Sequence, residues 1–220
     1  MRLGGALSWA GSAALTGCIF RDNICYMGQG GAVHYDGGDA SDYLALTRCV
    51  FEGNCSGEEG TAVAAISYWS KENAGVSVSQ CTFVGNRVCE DGPGGSTLCL
   101  AMSGDITMEN TLIAYGSAGG IACSGAAPSV TCCDIFGNEG GDWIGTIAAQ
   151  LGINGNISAD PLFCDTLYGD FRLETCSPCL PGNHPDGYDC GAPIGAYCSG
   201  CACGEATEAT TWGAIKAMYR

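Results

Sequence analysis

Positive charge is scarce in this chain. Eight Lys and Arg stand against 23 Asp and Glu, a formal net charge of −15 over 220 residues, and a surface so acidic repels nucleic acid and anionic membrane alike. Histidine is nearly missing: His34 and His184 are the only two, and neither has a Ser or Cys at the spacing of a nucleophile and its base. No Gly-rich stretch has the form of a phosphate loop. No apolar run approaches the roughly 18 residues of a spanning helix, and no stretch repeats apolar residues at helical spacing. In quantity the chain has Gly, at 36, and Cys, at 17, with 46% hydrophobic residues, enough to build a core.

Those residues recur in order. Cys18-Ile19-Phe20-Arg21-Asp22-Asn23 returns as Cys49-Val50-Phe51-Glu52-Gly53-Asn54, as Cys81-Thr82-Phe83-Val84-Gly85-Asn86, and more loosely as Cys133-Asp134-Ile135-Phe136-Gly137-Asn138. Thr111-Leu112-Ile113-Ala114-Tyr115-Gly116 is a degenerate copy between them. The steps between Phe20, Phe51, Phe83, Ile113 and Ile135 are 31, 32, 30 and 22 residues, the range in which self-similarity means a stacked repeat array. Three residues before each anchor Cys or Thr lie Leu15, Leu46, Val78, Met108 and Val130, and two further back Ala13, Leu44, Val76, Ile106 and Pro128. That is the alternation of a half-buried strand. Gly17, Arg48, Gln80, Asn110 and Cys132 then mark a bend that turns Cys and Phe inward again. Gly4-Gly5-Ala6-Leu7, Gly30-Gly31-Ala32-Val33 and the weaker Gly60-Thr61-Ala62-Val63 and Gly94-Gly95-Ser96 add a further strand after a tight turn that needs positive φ.

One such coil cannot bury its apolar residues alone. Stacked at about 4.8 Å, identical coils turn each column into a ladder, with Phe on Phe and Asn on Asn, and Asn amides bond their equivalents above and below. The expected fold is therefore all-β: a single-stranded parallel β-helix, or β-solenoid, of five to six coils over 1–163, right-handed by the resemblance given next. A cysteine-rich closing segment follows at 164–203 and a flexible tail at 204–220. An antiparallel sandwich with glycine-rich turns has the same composition but leaves the columns unexplained.

The Phe-x-x-Asn and Gly-Gly-Ala-Val elements resemble the repeats of polymorphic outer-membrane proteins and related right-handed β-helices of the pectin-lyase-like superfold. Ala159-Asp160-Pro161-Leu162-Phe163, Gly169-Asp170-Phe171-Arg172-Leu173, Ser177-Pro178 and Ile194-Gly195-Ala196-Tyr197 resemble the closing segment of bacterial secreted β-helices. The resemblance covers most of 1–199. It implies the fold and a bacterial, secreted or cell-surface setting; the superfold hosts lyases, hydrolases, adhesins and passive stalks, so function does not follow from it. Leu15-Thr16-Gly17-Cys18 also mimics a lipoprotein leader. Because Gly4 to Trp9 aligns with Gly30 to Tyr35, and Ala14 to Cys18 with Ala45 to Cys49, the repeat reading is preferred. On it no signal peptide is present, and the chain is N-terminally truncated, starting inside its array with an uncapped first rung.

The cysteines divide. Cys18, Cys49, Cys81 and Cys133 belong to the inward column and read as small, reduced core residues. Cys164, Cys176, Cys179, Cys190, Cys198, Cys201 and Cys203 crowd near the C-terminus, while Cys25, Cys55, Cys89, Cys99, Cys123 and Cys132 stay unassigned. Two readings of the C-terminal group stand: disulfide stapling in an oxidising setting, which is preferred, and a structural zinc held by Cys176, Cys179, Cys198 and Cys201, whose two Cys-x-x-Cys pairs have zinc-ribbon spacing.

Chemistry-bearing residues are otherwise few. Asp36, Asp39 and Asp42, with Glu58 and Glu59 in the next coil, form either a calcium site or an acidic solvated turn; a lyase would also need a base and a cation on the same face, and only Arg48 and Lys71 are at hand. No catalytic residue is assigned. Trp9, Tyr35, Tyr68 and Trp69, at or beyond the ends of the Gly-Gly strands, are candidate faces for sugar rings or a protein partner, or caps on the solenoid's edges. The tail ends in Thr-Thr-Trp212-Gly-Ala-Ile-Lys-Ala-Met-Tyr-Arg220, a sorting tag or a frayed terminus. The expected function is non-enzymatic adhesion or display, binding a glycan or a host or neighbour-cell surface protein, without cofactor; the alternative is a carbohydrate-active lyase or glycosidase. Carboxylates beside Arg or Lys on one outer face would favour the enzyme, whereas Ser, Thr, Ala and aromatics favour binding.

Overall fold

The structure is a computed structural model that describes residues 5–26, 28–37, 41–57, 60–66, 74–89, 95–101, 105–123 and 127–204. Its strands follow the alternation in the sequence. Ala13–Thr16, Tyr43–Thr47, Gly75–Ser79, Ile106–Glu109 and Ser129–Thr131 stack as one parallel sheet, here sheet B. Within it Leu15, Leu46, Val78, Met108 and Val130 lie in register and point to the core. Sheet C stacks Ile19–Arg21, Val50–Glu52, Thr82–Val84, Leu112–Ala114 and Asp134–Phe136. Sheet A stacks Leu7–Ala10, Val33–Asp36, Val63–Ile66, Ser96–Ala101 and Gly119–Cys123, and a short sheet D joins Ile24–Cys25, Cys55–Ser56 and Arg87–Val88. Successive strands of each sheet come from successive coils, so the chain is a parallel β-helix.

The bend between sheets B and C falls where the sequence puts it. Gly17, Arg48, Gln80, Asn110 and Cys132 all take left-handed φ, from 46° to 63°. Beyond it Phe20, Phe51, Phe83, Ile113 and Ile135 are in register. The phenylalanine rings stack face to face, 4.8 Å and 4.7 Å apart with interplanar angles of 9° and 6°. Asn23 then donates its side-chain amide to the Asn54 carbonyl oxygen at 2.9 Å, and Asn54 to Asn86 at the same distance. Asn54 and Asn86 also donate to the carbonyls of Phe20 and Phe51, tying turn to stack. Before sheet A, Gly30 turns with φ 73°, and a Cβ on Gly31 would stand 2.0 Å from the Thr61 carbonyl oxygen. The Gly-Gly pair thus answers two separate demands, a turn and a close approach of coils.

The inward cysteines behave as hydrogen-bonding groups. Cys49 and Cys81 are buried, reduced thiols that donate to the carbonyls of Thr47 and Ser79, and the Cys81 sulfur receives the Cys49 N–H at 3.4 Å. One coil on, Thr111 Oγ1 makes the same pair of contacts, donating to Glu109 and accepting from the Cys81 N–H. The degenerate copy therefore keeps the chemistry of the column while changing the atom.

The two ends of the stack differ. After Phe136 the chain crosses the last coil as a lid: Gly120, Cys132 and Ile135 donate to the carbonyls of Gly141, Asn154 and Ile157. A 3-10 turn at Gly145–Gln150 puts Ile147 into the core, beside Trp143, whose indole donates to Ile157. From Ile157 the chain doubles back along the outside of sheet C. Phe163–Asp165, Asp170–Glu174 and Ser199–Cys201 form a small sheet, and Phe163, Phe171, Leu173 and Ile194 bury Val50, Val84, Leu112 and Ala114 in a second apolar cluster. Ala196 N–H donates to Thr82 Oγ1 and Gly195 N–H to the Asn110 carbonyl. The Cys132–Cys190 disulfide fastens this cover to the bend of the last coil.

Two stability effects follow. Phe51 is fully buried between two rings, so Phe51→Ala should cost about 3–5 kcal/mol in denaturant unfolding. Cys81→Val should cost about 1–3 kcal/mol, because it leaves the buried Cys49 N–H without an acceptor, whereas Cys81→Thr, which copies Thr111, should cost clearly less in the same measurement.

Candidate functional site

The outward residues of the three long sheets meet different fates. Those of sheet C from Val50 onward lie against the C-terminal cover, while Ile19 in the first coil is exposed. On sheet A, Val33 and Tyr35 point to the core, and alternation turns His34 to the other side, yet His34 is only 1% exposed and neither ring nitrogen has a hydrogen-bond partner among the described residues. Burial pushes its imidazole below the ordinary value, the nearby Asp36 charge opposing this more weakly, so it is held neutral. Sheet B is uncovered by any of the described residues. Its outward side is a two-column array: Ala14, Ala45, Ser77, Thr107 and Ser129 in one register, Thr16, Thr47, Ser79, Glu109 and Thr131 in the other, all exposed or half-buried. Glu109 is the single charged side chain on these five strands. Arg48 and Gln80 flank the array at the bend, joined by a 3.2 Å hydrogen bond, and Tyr43 stands half-exposed at its other margin.

Several candidates from the sequence are placed elsewhere. Tyr35 is no exposed sugar platform. It is fully buried, its ring 5.8 Å from that of Trp9, which is itself half-buried; two residues after Val33, it shares that residue's inward side. Burial, with the charges of Asp42 and Asp36, raises its phenol to about 12. Tyr68 and Trp69 lie outside the described residues, as do Asp39, Glu58, Glu59, Lys71 and the tail after Gly204. Asp36 and Asp42 are both half-buried; Asp42 accepts from the Ser12 hydroxyl at 3.4 Å, and Asp36 Oδ1 is buried without a hydrogen-bond partner among the described residues.

The zinc quartet is not assembled. Cys176 is bonded to Cys203 and Cys201 to Cys164, which leaves neither sulfur as a thiolate ligand. Cys179 is a buried thiol and Cys198 an exposed one. Among the described residues the one close group of three metal-ligating side chains is Glu174, Cys176 and Cys203, two of them joined to each other. A fourth bridge, Cys55–Cys89, links adjacent coils beside the Asn ladder.

Beneath the cover lies a titratable pair that the sequence did not single out. Asp134 occupies the outward column of sheet C, fully buried, accepting from the Ala159 N–H at 3.0 Å and the Cys179 thiol at 3.2 Å. Burial dominates both bonds and raises its carboxyl to about 7; the Asp142 and Asp160 charges add to the effect. Burial likewise pushes the Cys179 thiol well up. No protein-family model, curated protein or solved structure matches the chain.

The Asp134 carboxyl has a definite pH signature. Its folded value lies above its unfolded one, so the folded state holds the proton more tightly. The stabilisation is complete below about pH 4 and is lost as pH rises towards about 7. Asp134→Asn should flatten that part of the stability curve. Urea unfolding of both proteins between pH 4 and 8 checks this; parallel curves would refute it.

Proposed function

We propose that this protein is a non-enzymatic binding module of the secreted or cell-surface type, and that the open side of sheet B holds an extended glycan during adhesion or display. One observation carries the reading: among the described residues, B is the long sheet whose outer side is free along all five strands, and that side is lined mostly with short hydroxyl and methyl groups in register. Coils repeat at about 4.8 Å, so the array offers the same donor and acceptor at each step to a ligand that is itself a repeating chain. A carboxylate with no Lys or Arg beside it on the strands gives poor equipment for sugar cleavage. Four disulfides suit an oxidising compartment. The repeat words resembling those of polymorphic outer-membrane proteins and pectin-lyase-like β-helices support a bacterial surface role as kinship of fold.

Cellulose, chitin and pectin, each as an insoluble matrix, test the reading. The protein should be retained by at least one, without releasing soluble or unsaturated sugar. Retention should weaken at least tenfold when Ser77 and Thr107 are both replaced by Lys, with the melting temperature unchanged. Retention by none, or retention indifferent to the double change, would refute it; turnover would return the protein to the carbohydrate-active class.

A further inference from the structure

We infer that the outer side of sheet A carries a metal site, in which His34 and Asp36 together chelate a divalent transition-metal ion of the zinc type. The two residues alternate with Val33 and Tyr35 along the strand Val33–Asp36, so both lie on the side away from the core, roughly 7 Å apart along the chain. An imidazole and a carboxylate at that spacing on one side of a strand can converge on a single ion at about 2.0–2.2 Å from each. The Asp36 charge already acts on the His34 ring. This side is separate from the open face of sheet B, and the inference does not rest on the glycan reading.

Two observations point to a ligand. His34 is 1% exposed, yet neither of its ring nitrogens has a hydrogen-bond partner among the described residues, and the same holds for the buried Asp36 Oδ1. Buried polar atoms are ordinarily paired, and an ion is one of the few things that explains exceptions. Here a nitrogen base and an anion stand unpaired on one strand, two residues apart, and one cation satisfies both. The neighbouring coils supply no substitute. In register with His34 stand Ser8 and Ala64, and with Asp36 stand Ala10 and Ile66, so no Lys or Arg on the flanking strands neutralises the carboxylate. The net charge of −15 draws cations to the surface as a whole.

The donors select the kind of ion. Calcium takes about six to eight oxygens and has no use for an imidazole, whereas a nitrogen and an oxygen donor suit zinc and its neighbours. A ligating imidazole must be neutral, and burial holds His34 in that form. Asp36 is half-buried, so the site meets solvent at that margin, where water completes the coordination. Asp36 thus serves a different ion from the calcium expected of its spacing with Asp39 and Asp42.

The full chain carrying isotopically labelled histidine shows two imidazoles by nuclear magnetic resonance, and zinc chloride added after chelator treatment tests the site. The His34 ring signals should shift and saturate, those of His184 should stay, and calcium chloride should move neither. Asp36→Asn, at a half-buried position, should weaken the zinc response of the His34 ring at least tenfold. His34→Phe, which keeps a ring but no nitrogen, should abolish the zinc-dependent rise in melting temperature. If that variant proves unfolded by circular dichroism, Asp36→Asn decides alone. A His34 ring unmoved by zinc, a response to calcium as strong as to zinc, or an Asp36→Asn protein that binds zinc like the wild type would each overturn the proposal.

Discussion

The amide of each bend residue between sheets B and C donates to the next coil, and the rest of the molecule depends on that repeated contact. Gly17, Arg48, Gln80, Asn110 and Cys132 donate to the carbonyls of Thr47, Ser79, Glu109, Thr131 and Asn154 at 2.9 to 3.2 Å. Four of the five pay for left-handed backbone with a side chain present, roughly 1–2 kcal/mol each. The bonds hold them there because every coil turns at the same place. Were one coil to bend a residue late, its Cys and Phe would face outward, and both the thiol column and the ring stack would be broken. A second left-handed position, at Asp22, Gly53, Gly85, Tyr115 and Gly137, closes sheet C on its other side and delivers Asn23, Asn54 and Asn86 to their ladder.

This part of the structure was legible in the sequence because its contacts join like to like. Phe51 meets Phe20 and Phe83, and Leu46 meets Leu15 and Val78, so the spacing of identical words states the register directly. The lengths of the connecting loops do not matter to such a reading, which is why steps of 22 and 32 residues serve equally well. Tyr35 shows where it failed. Its aromatic ring alone suggests a surface platform at the end of a strand, but the strand runs from Val33 through Asp36 and its alternation puts Tyr35 on the core side.

The C-terminal cover was hidden for a different reason. Its contacts join unlike segments far apart in the chain, such as Ala196 with Thr82, and no repeated word announces them. Half-cystines carry no mark of their partner either, so Cys132–Cys190 and Cys55–Cys89 could not be read from spacing. One signal was nevertheless present. The strands of sheet B alternate, whereas Thr82-Phe83-Val84 and Leu112-Ile113-Ala114 on sheet C are buried throughout, the unbroken pattern of strands covered on both sides. Asp134 interrupts that pattern at the last coil, and its burial is the origin of its raised carboxyl.

The same contrast bears on the proposed binding role. Apolar outward residues on sheet C from Val50 onward are explained by the cover that buries them. Among the described residues, the outward side of sheet B has no cover to explain it. Threonine suits a strand on its own account, but alanine does not. The sheet keeps Ala14, Ala45, Ser77, Thr107 and Ser129 in a single file across five coils. Short side chains keep the surface low and regular, as the proposed binding of an extended chain along it requires.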